Sequence, residues 1–309
     1  MSKCRVVAVA ESSPSTPGCD CLAHRFGNAA DRPGRRPRYA SDMSDAEWTR
    51  VRDLLPVPGW PAGRGGRPEG YCHRQMIDAV RCLVDNGIKW RAMPADFPPW
   101  SRVYAFFARW RDAGLAAELH DRLREAIRRS EGRKEEPSAA VVDSQSVKAD
   151  ATVTLASRGF DAGKKINGRK RHLLTDTLGL LPAVLVTPAS TTDRDAARLL
   201  LPAAKGRFRQ LSRVWADGGY PGHLADWTAQ HLGVVLDVVR RSDDVQGFQV
   251  LPRRWVVERS FAWFLRSRRL VRDYERRTDT SEAVVLWSMT MLMSRRPAAR
   301  HQPVPVRAA

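Results

Sequence analysis

The chain is poor in the features that would place it in a membrane or among disulfide-stapled proteins. It has 5 cysteines in 309 residues, at positions 4, 19, 21, 72 and 82, a small and odd number. None belongs to a Cys-X-X-Cys pair followed by a second pair or by a histidine pair, so the sequence reads as reduced thiols rather than as a metal ribbon or a disulfide framework. No apolar run approaches the roughly 18 residues of a membrane-spanning helix. The nearest stretch, 283–293, is interrupted by Ser288 and Thr290. The amino terminus faintly imitates a secretory leader, but its apolar core, residues 6–10, falls short of the roughly 7 residues required. Internal repeats are absent. These absences lead to the expectation of a cytoplasmic protein with no membrane partner.

Acidic residues are also scarce relative to basic ones. Lys and Arg number 52 against 34 Asp and Glu, a formal net charge of +18. A polyanion is the natural partner of such a chain, and DNA is the first choice. An anionic membrane surface is the weaker alternative, because no long basic amphipathic helix without core aromatics is evident. The apolar content of 43% is ordinary and sufficient for a core.

Residues 1–42 are rich in Ser, Pro, Gly and Arg without apolar periodicity, and a disordered tail is expected there. Met43 directly precedes the first organised segment and is a candidate translation start. Residues 43–130 read as a small all-α domain. Ser44 and Glu47 have capping-box spacing ahead of Trp48 and Val51. A second helix is predicted over 73–86, ended by Gly87, and others over 100–112 and 115–129. Between the first two lies a loop with Gly-Arg-Gly-Gly-Arg at 63–67. Trp48, Trp90, Trp100 and Trp110 read as core of this domain, and the domain as a DNA-binding one. A linker is expected at 131–138.

The pattern then changes. Strands are predicted at 139–143, 171–177, 181–187, 214–217 and 234–239, and helices at 195–204, 223–231, 252–274 and 281–294. Three consecutive strands followed by alternation is the order of a ribonuclease H-like α/β fold. That catalytic domain is placed at 139–296, with a disordered tail at 297–309.

Three acids stand out against this frame. Asp143 and Asp217 each follow a buried-strand run, and Glu258 lies early in a helix. Carboxylates at strand ends of an α/β sheet line a cleft. Three converging acids need cations to offset their repulsion, and hard oxygen donors select Mg²⁺ or Mn²⁺. Two such ions activate an attacking oxygen and stabilise a leaving one. Gly218 and Gly219 would let a phosphodiester approach the backbone. Asp193 and Asp195 read as helix caps, with accessory acids as the alternative, and His172 reads as structural, with a DNA contact as the alternative.

The segments 140–144 (AVVDS), 215–220 (WADGGY) and 255–263 (WVVERSFAW) resemble the three acidic motifs of bacterial insertion-sequence transposases of the Asp-Asp-Glu type, in particular the IS-five branch. The resemblance covers roughly 41–296. It implies metal ligation and catalysis by Asp143, Asp217 and Glu258, cleavage at transposon ends, and attack of the freed 3′-hydroxyl on target DNA. It implies DNA and a second copy of the chain as partners, in a homodimer or higher synaptic complex. The group's Tyr-Arg-Glu-Lys signature is only partly present. Arg254 occupies the Arg position, but Leu251 and Leu265 stand at the Tyr and Lys positions, with Arg266 and Arg268 close by. Arg254, Arg266 and Arg268 are therefore expected to contact phosphate, as are Lys164, Lys165, Arg169, Lys170 and Arg171 of the basic tract before the second strand. Two rival readings share these residues: a nuclease on the same fold, and a catalytically inactive, domesticated DNA-binding protein.

Overall fold

The computed structural model describes residues 19, 21–25, 35–56, 70–220, 222–239 and 255–299. In chain order the elements are α1 (Leu22–Arg25), α2 (Asp45–Asp53), α3 (His73–Asn86), α4 (Trp100–Asp112), α5 (Leu115–Ser130), β1 (Ala139–Lys148), β2 (Gly159–Asp161), β3 (Ile166–Asp176), β4 (Ala183–Pro188), α6 (Asp193–Arg207), β5 (Arg213–Ala216), α7 (Leu224–Leu232), β6 (Val235–Val238), α8 (Trp255–Phe264) and α9 (Thr278–Ala299). They divide into two units. One comprises Met1–Leu123, Ser267–Arg269 and Leu286–Ala309, and the other Arg124–Arg266 and Leu270–Val285. No helix among the described residues is long and apolar enough to cross a membrane.

In the first unit, α2 begins as its sequence predicts. The Glu47 N–H donates to Ser44 Oγ at 3.1 Å, and the Ser44 N–H donates to Glu47 Oε2 at 2.9 Å. That reciprocal pair satisfies two backbone donors at the helix start. Glu47 is itself buried and meets Arg81 of α3 at 3.0 Å. Along α3 the side chains of Met76, Ile77, Val80, Leu83 and Val84 are buried, and Gly87 closes the helix in the left-handed conformation, φ 66°. Trp48 and Trp110 belong to the core, whereas Trp100 is exposed with Arg91 stacked over it. The segment before Met43 is not a uniform tail. Asp42 accepts from the Arg38 and Tyr39 N–H groups at 2.8 and 3.1 Å and pairs with Arg35 at 2.8 Å.

The second unit is built on a mixed sheet. Its path runs β2-β3-β1-β5-β6, with β4 also pairing β3. β3 is antiparallel to β1, β2 and β4, whereas β1, β5 and β6 are parallel. Ala140, Val142 and Leu174 pack with Ala197, Leu200 and Leu201 of α6 and Leu224 of α7 into one hydrophobic cluster. α8 contacts β1 and β3 but adds nothing to that cluster, which puts it on the other face of the sheet.

Three elements depart from the sequence reading. β1 continues five residues beyond Asp143, to Lys148, because it stays paired with β3 as far as Gly168. That pairing requires glycine: a Cβ on Gly168 would lie 1.9 Å from the Val147 carbonyl oxygen. The short β2 was not expected, and most of the basic tract lies inside β3 rather than before it. The helix predicted over 252–274 ends at Phe264, and its first three residues lie outside the described ones. Its continuation is diverted into the sheet: the Asp273 N–H donates to Lys148 O at 3.0 Å, and the Asp150 N–H donates to Asp273 O at 2.8 Å.

Candidate active site

The geometry of the site begins with strand register. β1 pairs with β5 as Ala139 to Arg213, Ala140 to Val214 and Val141 to Trp215. The constant offset of 74 is also the separation of Asp143 and Asp217. Continued two residues past Val141, that register would bring Asp143 level with Asp217, which directly follows the end of β5, at the roughly 4.8 Å spacing of neighbouring strands. Side chains alternate along a strand, and Val142 and Ala216 lie in the cluster under α6 and α7. Asp143, next to Val142 in β1, therefore projects from the opposite face of the sheet. Asp143 and Asp217 are both half-buried.

The backbone after β5 is shaped around Asp217. The Gly219 N–H donates to Asp217 Oδ1 at 2.9 Å. A Cβ on Gly219 would sit 2.9 Å from that oxygen and 3.5 Å from Asp193 Oδ2. A side chain at residue 219 would make the Asp217 carboxylate shift, while Asp193 stays at ordinary contact distance. Asp193 is thus brought to the site, although the sequence presents it as a helix cap. Capping is done by its neighbours: Thr192 Oγ1 accepts from the Asp195 N–H at 3.2 Å and donates to Asp195 Oδ2 at 2.6 Å. The carboxylate of Asp193 instead meets Lys170 Nζ at 3.4 Å and His172 Nδ1 at 3.6 Å.

Two further groups that the sequence did not single out stand here. Tyr220 is buried, and its Oη has no hydrogen-bond partner among the described residues. Burial, then the charges of Asp193, Asp143 and Asp217, push its hydroxyl well above the usual tyrosine range. Asp161 of β2 accepts from the Ser146 hydroxyl and lies 3.7 Å from Lys170 Nζ. Burial opposes its ionisation, but the Ser146 hydroxyl, the Lys164 N–H and the two lysine charges hold its carboxyl below the usual range. The only signal for Tyr220 in the sequence was its position three residues after Asp217.

His172 fills a structural place, with Nε2 2.9 Å from Thr187 Oγ1. Burial, only partly offset by Asp193 and reinforced by Lys170 and Lys164, pushes its pKa down to about 4. The imidazole is therefore neutral near pH 7. A cleft of about 470 Å³ opens beside the site, lined in part by Lys170, Asp193, Arg194, Gly218 and Gly219.

Glu258 is exposed in the first turn of α8. Among the described residues neither Asp143, Asp217 and Glu258 nor Asp143, Asp217 and Asp193 bring their ligand atoms all within 4.8 Å of one another. The structure groups Asp143, Asp217 and Asp193 more loosely around Tyr220, and leaves Glu258 on the helix that packs over the same sheet face.

The expected phosphate contacts separate into three kinds. Lys164 and Lys165 are exposed, and Lys165 has φ 53°. Arg266 is exposed as well. Arg169 and Arg171 are corrected: they are buried and engaged within the unit, because side chains on that face of β3 point into the fold. Arg169 donates to Glu275 O at 2.8 Å and pairs with Asp273 at 3.2 Å. Arg171 donates to Leu270 O at 2.7 Å, and burial pushes its pKa down to about 10. Lys170 is also buried and faces Asp161 and Asp193 rather than open solvent. Arg268 belongs to the first unit, beside Gly87. Arg254 lies outside the described residues.

Comparison with known proteins agrees with these motifs. Residues 43–120 match a family model described as "Putative transposase of IS4/5 family", and residues 134–293 match one described as "Transposase DDE domain". A curated relative from Burkholderia cepacia, named "Putative transposase for insertion sequence element IS402", is 33% identical over 121 residues, which cover 36% of this chain and 56% of the relative. The chain therefore spans little more than half the length of that relative. With the second model covering more than half of its residues, the chain belongs to the Asp-Asp-Glu transposase family of the IS4/5 type.

Proposed function

We propose that this protein is a DNA transposase that cleaves the ends of an insertion sequence and joins the freed 3′-hydroxyl to target DNA. The observation that carries the reading is the parallel pairing of β1 with β5, whose offset of 74 is also the separation of Asp143 and Asp217, beside a cleft lined in part by Gly218 and Gly219. The order β4-β3-β1-β5-β6, with β3 antiparallel and the others parallel, supports a ribonuclease H-like description of the catalytic unit.

The donor chemistry of the residues present suits a divalent cation. The donors are carboxylates, and the Tyr220 hydroxyl beside them, raised by burial first and by the charges of Asp193, Asp143 and Asp217 after it, has no described hydrogen-bond partner. Mg²⁺ or Mn²⁺ held by Asp143, Asp217 and Glu258, as one ion or two, would neutralise this charge and activate the attacking oxygen. Gly218 and Gly219 leave room for a phosphodiester against the backbone. Lys164, Lys165, Arg194 and Arg266 offer charge to DNA along the way to the acids, and Arg254 and Arg268 complete the proposed set of DNA contacts. Joining of two element ends requires a dimer or a larger synaptic complex.

A strand-transfer assay tests the reading. Full-length protein is mixed with DNA carrying the candidate element ends and with a supercoiled target, with Mg²⁺ or Mn²⁺ and with neither. Joined products that depend on the metal and vanish in Asp217→Asn are expected. Cleavage without joining would identify a nuclease. A gel shift without either reaction, equal in the variant, would identify a DNA-binding protein and overturn the catalytic assignment.

A further inference from the structure

Outside the carboxylate site, four side chains of the first unit converge that the sequence had not joined. Cys19, Cys21, His24 and Cys72 place their ligand atoms all within 4.8 Å of one another. Their spacing is Cys-X-Cys-X-X-His, with the last cysteine 48 positions further on, and so it escapes a search for paired Cys-X-X-Cys motifs. The turn of α1 carries His24 three residues after Cys21 and onto the same side, with Nδ1 3.3 Å from Cys21 Sγ. Cys72 Sγ lies 3.7 Å from Cys19 Sγ.

We infer that these four residues bind a structural zinc ion in a tetrahedral Cys₃His site. Zn–S bonds of about 2.3 Å at tetrahedral angles separate two sulfurs by about 3.8 Å, and a sulfur from a nitrogen by slightly less. The observed separations of 3.7 and 3.3 Å match those two edges. A disulfide would need about 2.05 Å between sulfurs, and a reducing compartment disfavours one. Thiolate and imidazole donors select zinc over the hard cations suited to the acidic site. Four protein ligands close the coordination sphere, and Cys21 and Cys72 are buried, so the site holds structure and offers no open position for a substrate.

The position of Cys72 adds to the case. It occupies the N-cap of α3, yet its side chain makes no capping bond. A thiolate at a helix amino terminus is favoured by the backbone dipole. The ion would tie the short α1 to the start of α3. Cys82, by contrast, is fully buried ten residues along α3 and takes a bond from Asn86 Nδ2, apart from the cluster.

The test uses the full chain from Met1, produced with zinc in the medium and purified with reductant and without chelator. Metal analysis is expected to find about one zinc per chain, as a closed four-ligand site requires. Cys21→Ser and Cys72→Ser should lose it, whereas Cys82→Ser and Asp217→Asn should keep it. Because a ligand variant can simply misfold, the wild-type protein is also loaded with Co²⁺. Visible bands of tetrahedral cobalt with thiolate ligands, bleached by added zinc, are the expected result. Folded wild-type protein that takes up neither metal would overturn the proposal. So would zinc retained in Cys21→Ser, or a Cys19–Cys72 disulfide that persists under reductant. None of these outcomes depends on whether the protein moves DNA.

Discussion

Gly219 concentrates the requirements of the acidic site into one missing methyl group. A Cβ there would meet Asp217 Oδ1 at 2.9 Å and approach Asp193 Oδ2. Gly219→Ala should displace the Asp217 carboxylate by a few tenths of an ångström or more, and misplacements approaching 1 Å cost on the order of 100-fold in rate. Strand joining is expected to fall at least about 10-fold on that scale, while thermal melting stays close to that of the parent, because the glycine backbone is exposed. A variant with full joining activity would show that the carboxylate tolerates the shift. His172 makes a separate prediction. Its folded pKa, about 4, lies below the roughly 6.5 of an unfolded histidine. The unfolded chain therefore binds the proton more readily between those values, and stability is lost as pH falls from about 6.5 to about 4. Its ring resonances should not titrate above about pH 5 in an NMR experiment, and His172→Gln should flatten the fall in urea midpoint over the same window.

At the scale of elements, β3 is the member that does most to hold the second unit together. Its alternate residues reach opposite faces: Lys170 and His172 meet Asp193, and Arg169 and Arg171 secure the chain that follows α8. Arg169 and Asp273 are both fully buried and 3.2 Å apart. Removing the guanidinium leaves the aspartate charge uncompensated, which costs about 3–5 kcal/mol. Arg169→Ala should accordingly show that loss in equilibrium urea unfolding, and a surface role would leave the midpoint nearly unchanged. Gly168→Ala should be as damaging, since the methyl group would collide with the backbone of β1 rather than with a flexible side chain. The basic tract shows why a charge run is ambiguous in sequence. Five cations within eight residues look like one surface, but strand alternation and burial leave only Lys164 and Lys165 of them exposed.

At the scale of the whole molecule, the net charge of +18 governs association more than folding. Each phosphate neutralised by a cation releases counterions, so the logarithm of DNA affinity should fall linearly with the logarithm of salt concentration. Lys164→Ala and Lys165→Ala should each reduce the slope by about 1 and weaken binding to all DNA sequences alike. Fluorescence-anisotropy titrations across a salt series measure both. An affinity independent of salt would remove the phosphate role from these residues.

The primary structure alone determined the capping box of α2, the glycine stop of α3, the alternation of strands and helices after 139, and the three acidic motifs. These are local or periodic features: a cap needs residues three apart, a helix face repeats with its own pitch, and a motif lies within a few consecutive positions. It even contained the spacing of 74 between Asp143 and Asp217, although only the pairing of β1 with β5 shows that this number is a strand register. Tertiary structure decided what depends on distant chain segments. It made Asp193 a neighbour of Asp217 rather than a helix cap, because α6 begins beside the end of β5. It buried Arg169 and Arg171, because Asp273 and the carbonyls of 270–276 lie against their face of the sheet. It ended the helix carrying Glu258 at Phe264, since Asp273 is held by the backbone at the end of β1. And it gathered Cys19, Cys21, His24 and Cys72, which no local spacing joins, because the chain returns to α1 only at the start of α3.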